Sequence, residues 1–286
     1  MSVIGSGQSG GARYAGGARY AGADRYAGAD RYAGAGQRWA TGATLVYGPI
    51  AAELVATSPQ SLAGCTVLDA GAGTGAVSAA LTAVGAHTVA MDLSIDMLAW
   101  EAHARPPCIV ADIRALPLAA CRVDATVAAF VLNHLVQPAD GLRELVRVTR
   151  PGGAVLAAVF SNASRSPARD RVDQVAQQAG WRVPDWYVDF KATAVPLLGS
   201  AEAMRAAADA VGLAGIVAEE RPVDVGVTEP EQLVRYRLGQ PLFASWLDRI
   251  GPDRAAQIAS QAADAVRPLS QPYRPIVVFL AASAPA

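Results

Sequence analysis

The chain has 286 residues, with 24 basic and 25 acidic side chains and a formal net charge of −1. This length holds one large core, or one core with a small cap. The balanced charge argues against nucleic acid and membrane partners. The sequence has neither an apolar run of 18 residues nor a cleavable leader, so we expect a soluble cytoplasmic protein.

Residues 1–36 are a low-complexity segment of Gly, Ala, Arg and Tyr. A six-residue unit recurs and places tyrosine at positions 14, 20, 26 and 32. A six-residue repeat matches neither the helical nor the strand period, and a segment rich in Gly and Ala has little side-chain surface to bury. We expect a disordered tail. The alternatives are a nucleic-acid arm, in which arginine meets phosphate and the rings stack, or a lid that orders on ligand binding. The globular domain, 37–286, opens with a predicted helix over about 38–56.

A glycine-rich turn follows the first predicted strand. Residues Val67–Gly75 read VLDAGAGTG, an apolar run that ends in an acid before three glycines, and apolar residues at helical spacing come next. Glycines let the backbone bend sharply and approach a ligand. Strand, tight turn and helix in this order form the cofactor-binding turn of a doubly wound α/β sheet.

Two cofactor classes use such a turn. The pattern Gly71-x-Gly73-x-x-Ala76 also fits a dinucleotide fingerprint, with Asp92 about 20 residues on. Asp69 at the strand end, however, would repel a pyrophosphate. It would attract the ammonium and sulfonium of S-adenosylmethionine, which has no phosphate. The alternative for Asp69 is a turn or helix-capping acid.

Two further predicted strands also end in acids, Thr88–Asp92 and Cys108–Asp112. Ligands bind at the carboxyl ends of parallel strands. Asp92 can accept hydrogen bonds from both ribose hydroxyls, and Asp112, followed by Ile113, can accept from the adenine amino group. Each acid alone could be an ordinary loop residue. Acids at three successive strand ends favour an adenosine-bearing cofactor.

These stretches resemble the class I S-adenosylmethionine-dependent methyltransferases, in particular their small-molecule group. The similarity spans roughly residues 45–160 and follows the family's order; its segments are VLDAGAGTG (67–75), AMDLSIDML (90–98), ADIRALPL (111–118) and 123–160. The resemblance implies a Rossmann-like doubly wound sheet of seven strands, one of them antiparallel, with helical cap insertions. It also implies S-adenosylmethionine as cofactor and S-adenosylhomocysteine as product.

Motifs and resemblance together predict the cofactor site. Its residues are Asp69, Gly71, Ala72, Gly73, Asp92, Leu93, Met97, Asp112, Ile113, Phe130 and Tyr47. For Tyr47, packing on the sheet edge is the alternative. The chain lacks the family's metal-ligand acids after the fourth strand, so we expect no metal. The three cysteines have no metal-binding spacing, and two of them, in predicted strands, are interpreted as small core residues.

Two insertions flank the last strands and, with 38–56, form the predicted cap over the acceptor. The first, 161–199, contains four aromatic residues that could wall an apolar pocket; they are Trp181, Trp186, Tyr187 and Phe190. The alternative is packing of the cap onto the core. The second insertion, 229–267, contains two predicted helical stretches.

We therefore predict a methyltransferase that acts on a small, partly apolar metabolite, in bacterial secondary metabolism, as a monomer or homodimer. The alternative is a protein of this fold that binds the cofactor without methyl transfer, as a cyclase or ligand sensor. His134 follows the fourth predicted strand and is the candidate general base, because histidine titrates near neutral pH. A histidine that only shapes the loop is the alternative.

Overall fold

The computed structural model describes residues 36–269 and 271–286. The predicted disordered tail therefore lies outside the described residues, except for Gly36, which begins the first helix. Within these residues, no helix combines the length and apolarity needed to cross a membrane.

Strands and helices alternate along most of the chain. The strands are β1 Thr66–Ala70, β2 His87–Asp92, β3 Cys108–Val110, β4 Val123–Ala129, β5 Thr149–Phe160, β6 Ala214–Pro222 and β7 Ile276–Ser283. The helices are α1 Gly36–Ala56, α2 Ala76–Ala83, α3 Ile95–Ala99, α4 Pro138–Val148, α5 Pro167–Gln178, α6 Asp185–Thr193, α7 Ala201–Asp209, α8 Pro230–Leu238, α9 Pro241–Ile250 and α10 Pro252–Val266.

The strands form one seven-stranded sheet in the order β3-β2-β1-β4-β5-β7-β6. β1 to β5 pair in parallel, whereas β7 runs antiparallel to both β5 and β6. The predicted doubly wound sheet with one antiparallel strand is confirmed. The order reverses direction at β1, whose neighbours are β2 and β4, and a doubly wound sheet binds its ligands at such a switch point.

Both faces of the sheet are covered, because alternate residues of each strand point to opposite sides. Val67 of β1 belongs to a core beneath α1, α2, α5 and α8 to α10, and its neighbour Leu68 belongs to a second core beneath α4 and α7. Both side chains are fully buried. The near-continuous apolar strands of the sequence follow from this double burial.

The second insertion contains three helices, α8 to α10, where two helical stretches were predicted. Each begins with proline at its first position, namely Pro230, Pro241 and Pro252. Proline suits that position because its missing N–H would have no helical partner there. The breaks between the three helices fall at Gln240–Pro241 and Gly251–Pro252.

The prediction for the strand cysteines is wrong. Cys108 is exposed, because it lies on β3, an edge strand whose three residues are all exposed. Cys65 precedes β1 and is half-buried, and Cys121 is exposed.

Candidate functional site

A cavity of about 470 Å³ opens at the carboxyl ends of β1, β2 and β4. Its walls also include residues of α1, α5, α6 and α8. It therefore joins the predicted cofactor loops to the predicted cap. Most of the predicted site residues line it, the exceptions being Asp69 and Trp181.

The glycine-rich loop has a backbone conformation that depends on glycine. Gly71 and Gly73 have φ angles of +77° and +50°, in the region that glycine adopts at no steric cost. A Cβ on Gly71 would lie 2.5 Å from the Cβ of Val131. The N–H groups of Gly71 and Ala72 donate to the carbonyl of Met91 at 2.7 and 2.9 Å. The loop is thereby anchored to β2 while its edge faces the cavity.

Asp92 lies at the end of β2 and holds the glycine loop to the next helix. One carboxylate oxygen accepts the N–H of Gly73 at 2.8 Å, and the other accepts the N–H of Ser94 at 2.9 Å. Burial raises the pKa of Asp92 above its ordinary value. A carboxylate oxygen has about two acceptor positions, so Asp92 retains capacity for the hydroxyls of a sugar. Because the Gly73 N–H is already engaged, it is not available to a phosphate.

The adenine-binding residues predicted after β3 line the cavity, as do Leu93 and Met97. Asp112 forms an ion pair with Arg114, whose Nη2 lies 2.7 Å from Oδ2. Asp112 Oδ1 also accepts the backbone N–H of Arg114 at 2.9 Å. These bonds fix the carboxylate at the rim beside Ile113.

Asp69 does not face the cavity, so the expectation that it meets the charged groups of the cofactor is wrong. Its side chain is fully buried beneath the glycine loop, where Oδ2 accepts the hydroxyl of Ser78 at 2.6 Å and Oδ1 has no partner. Burial raises its pKa to about 7. Asp92, and not Asp69, is therefore the acid that faces the cavity beside the glycine loop.

Three aromatic rings pack together in the wall of the cavity. Phe130 follows β4, and its ring lies 4.8 Å from that of Tyr47 and 4.5 Å from that of Phe160, between centroids. All three residues line the cavity. Phe130 has a φ of +57°, a strained conformation for a residue with a Cβ that costs about 1–3 kcal/mol. Its N–H donates to the carbonyl of Ala158 at 2.7 Å, which stabilises the strained turn.

His134 lies between β4 and α6. It ends a short 3₁₀ helix, Leu132–His134, and its imidazole stacks on the ring of Phe190. Both residues line the cavity, together with Trp186 and Tyr187 of α6. The arrangement brings one histidine and three aromatic rings of the cap to the same space as the cofactor loops.

Trp181 belongs to the core, so its prediction as a pocket residue is wrong. Its side chain is 3% exposed, and its indole N–H donates to the carbonyl of Leu242 at 3.2 Å. The ring stacks on Phe243 at 4.2 Å between centroids. The chain turns inward after α5, at Gly180 with φ +94°, and places this aromatic between α5 and α9.

Sequence reasoning missed the polar residues of the cap that line the cavity. The larger ones are Arg169, Lys191, Tyr236, Arg237 and Gln240. They come from α5, α6, α8 and the turn after α8. Because these elements are far apart in the sequence, their proximity in the fold could not be predicted. One feature of the sequence did single out a residue of this set: Lys191 is the single lysine among 24 basic residues.

Comparison with known proteins identifies a methyltransferase domain over residues 68–157. The demethylmenaquinone methyltransferase of Corynebacterium urealyticum is 44% identical over 98 residues, which are 34% of this chain and 43% of that protein. The chain spans about half the length of the curated relatives it matches.

Two solved structures share the fold. A Thermotoga maritima protein described as a possible histamine N-methyltransferase has a TM-score of 0.53 and 13% identity, and the match covers 89% of this chain and 97% of that one. The cyclase SpnF has a TM-score of 0.50 and 20% identity, and the match covers 84% and 80%. At these identities the likeness concerns the fold alone.

Proposed function

We propose that this chain, a member of the class I S-adenosylmethionine-dependent methyltransferases, transfers a methyl group to a small, partly apolar metabolite. One observation carries the proposal. A single continuous cavity is lined both by Gly71 and Asp92 at the strand ends and by Trp186 and Phe190 of the cap. A cofactor on the loops and an acceptor under the cap would therefore share one space.

The lining residues fit S-adenosylmethionine better than a dinucleotide. Asp92 would accept the ribose hydroxyls, and Asp112 with Ile113 would hold the adenine. Gly71, Ala72 and Gly73 would lie along the methionine end, with Leu93, Met97, Phe130 and Tyr47 as apolar and aromatic walls. When bound, this cofactor supplies a methyl group on a sulfonium, an electrophile that requires no activation by the protein.

The protein then has to align the reactants, exclude water and move one proton. Alignment of two bound reactants alone contributes about 7–11 kcal/mol. The rings of Trp186, Tyr187 and Phe190 would orient a flat acceptor and keep water away from it. His134 would take the proton that a hydroxyl or an acidic C–H loses on methylation, which is worth about 10²–10⁴ in rate.

The experiment that tests the proposal screens ring-containing, partly apolar compounds as methyl acceptors. The names of the curated relatives make demethylmenaquinone one compound to assay, beside phenols and heteroaromatic metabolites with and without a carboxylate. The assay measures S-adenosylhomocysteine and methylated product together, and incubation without acceptor is the control. Equal amounts of both support the proposal. Conversion of a compound without S-adenosylhomocysteine would instead indicate a cyclase.

A further inference from the structure

Two arginines on the cap side of the cavity differ in their partners. The guanidinium of Arg237 is 4% exposed and donates to both carboxylate oxygens of Asp173 at 2.7 and 2.6 Å, and to Gln240 at 2.6 Å. Arg169 lines the same cavity, but its Nε–H is buried without an acceptor. Among the described residues, no carboxylate lies within ion-pair distance of Arg169. Arg237 therefore has a structural partner, and Arg169 lacks one.

The position of Arg169 on its helix makes an unpaired charge still less favourable. It is the third residue of α5, and its backbone N–H donates to the capping hydroxyl of Ser166 at 3.2 Å. The N-terminal end of a helix carries partial positive charge, which disfavours a cation there. Burial of the Nε–H without an acceptor also removes part of the hydration of the guanidinium. A bound anion would remove both costs.

A second buried donor belongs to the same cavity. Tyr236 of α8 lines the cavity, and its hydroxyl is also buried without a partner. Burial raises the pKa of Tyr236 well above its ordinary value, so the hydroxyl keeps its proton and can donate it.

Positive charge is concentrated at this end of the cavity. Lys191 of α6 also lines it and forms no ion pair within the described part of the chain. Partial burial, together with the nearby charges of Arg165, Arg169 and Arg237, lowers the pKa of Lys191. The acids that line the cavity, Asp92 and Asp112, belong to the cofactor loops. The cap therefore offers positive charge to an acceptor.

We propose that the methyl acceptor carries a carboxylate, which the guanidinium of Arg169 binds while the hydroxyl of Tyr236 supplies a second donor. The forked guanidinium matches the two oxygens of a carboxylate. The apolar part of the acceptor would lie against Trp186 and Phe190. The inference rests on the proposed function, because it places the acceptor in this half of the cavity.

The test compares two probes of equal shape, 2-naphthoate and the neutral 2-naphthamide. Their binding is measured by calorimetry, with and without saturating S-adenosylhomocysteine. The wild-type protein should bind 2-naphthoate about 10- to 100-fold more tightly than the amide, as expected for one hydrogen bond to a charged group. Arg169→Gln should abolish this preference and leave the amide and S-adenosylhomocysteine affinities unchanged. Arg165→Gln is the matched control, because Arg165 is exposed and does not line the cavity.

Each outcome decides the matter. Equal affinity for the two probes, no binding of 2-naphthoate, or a preference that survives Arg169→Gln would overturn the carboxylate site. Failure of S-adenosylhomocysteine to bind the wild-type protein would instead count against the proposed function. The titrations without S-adenosylhomocysteine measure the preference for the carboxylate probe independently of cofactor binding.

Discussion

The imidazole of His134 stacks on the ring of Phe190, with centroids 4.9 Å apart and planes inclined by 10°. One ring follows β4 of the sheet, and the other lies on cap helix α6. The pair therefore links the element that ends at the cofactor loops to the element that would cover the acceptor. Packing and proton transfer are both compatible with this contact, and mutation can separate them.

Replacing His134 by phenylalanine keeps an aromatic ring against Phe190 but removes the base. We expect turnover to fall by about 10²–10⁴, the usual contribution of a positioned base, with S-adenosylhomocysteine affinity within a few-fold of wild type. His103→Phe is the control, since His103 is exposed in a separate 3₁₀ turn. Single-turnover rates are the measurement. Wild-type rates in His134→Phe would mean that the histidine acts only by stacking.

Asp92→Ala should weaken the binding of S-adenosylmethionine at least 100-fold. Two hydrogen bonds from ribose hydroxyls to a charged carboxylate are lost, each worth about 1.5–3 kcal/mol, and the anchors of Gly73 and Ser94 are lost with them. Calorimetric titration measures the change. Asp96→Ala, an exposed acid on α3, should bind normally. A fivefold effect or less at Asp92 would contradict its role.

Gly71→Ala should destabilise the protein by about 2–4 kcal/mol, because the new methyl group overlaps Val131 and the backbone has a φ of +77°. Gly226→Ala is the control: its φ is +67° but a Cβ meets nothing within 4 Å, so only the conformational cost of about 1 kcal/mol remains. Urea unfolding gives both values. In Gly71→Ala/Val131→Ala the effects should be less than additive; strict additivity would refute the overlap.

The buried acid Asp69 should make stability depend on pH between about 4 and 7. Its folded-state pKa of about 7 lies above the ordinary 3.8, so the folded protein retains a proton that the unfolded chain releases. The free energy of unfolding then falls as pH rises through this window, and this contribution is constant above it. The total is on the order of 4 kcal/mol.

Urea unfolding across this pH range checks the prediction in Asp69→Asn, which cannot ionise. The variant should gain stability relative to wild type as pH rises. Asp209→Asn, at an exposed position, should follow the wild-type curve. Parallel curves for wild type and Asp69→Asn would exclude Asp69 as the source.

Arg169→Met should stabilise the ligand-free protein by roughly 1–2 kcal/mol, since it removes a buried Nε–H without an acceptor and a cation near a helix N-terminus. Arg237→Met should do the reverse and cost about 3 kcal/mol, because it leaves the carboxylate of Asp173 without its partner. Thermal unfolding of both variants provides the comparison. A loss of stability in Arg169→Met would mean that the guanidinium has a structural partner after all.

Most residues of the predicted cofactor site line one cavity, and the sequence could bring them together because its elements are local. Strand, acid and glycine turn lie within nine residues of the sequence. Asp92 and Asp112 also follow predicted strands, which places both acids at the carboxyl ends of the parallel strands. Asp69 was misplaced because a motif does not reveal which side of a turn a side chain occupies. Its carboxylate is turned toward Ser78 of α2, whose hydroxyl it accepts.

The acceptor half could not be predicted in the same way. Trp181 and Trp186 are five residues apart and equally aromatic, yet one packs in the core and the other lines the cavity. The difference arises from where α5 ends against α9. Arg169 and Tyr236 likewise line one cavity although their helices are distant in sequence. No local sequence pattern indicates that these two helices meet.

The placement of β7 between β5 and β6 has a consequence for folding order. β6 pairs only with β7 in this sheet, so when β6 is synthesised its partner does not yet exist. Helices α8 to α10 lie on the connection between these two strands, and α8 supplies Tyr236 and Arg237 to the cavity. Insertion of β7 therefore completes the sheet and joins β6 to it. A ribosome-bound chain that lacks β7 would expose the edges of β5 and β6, which are sites for pairing with other chains.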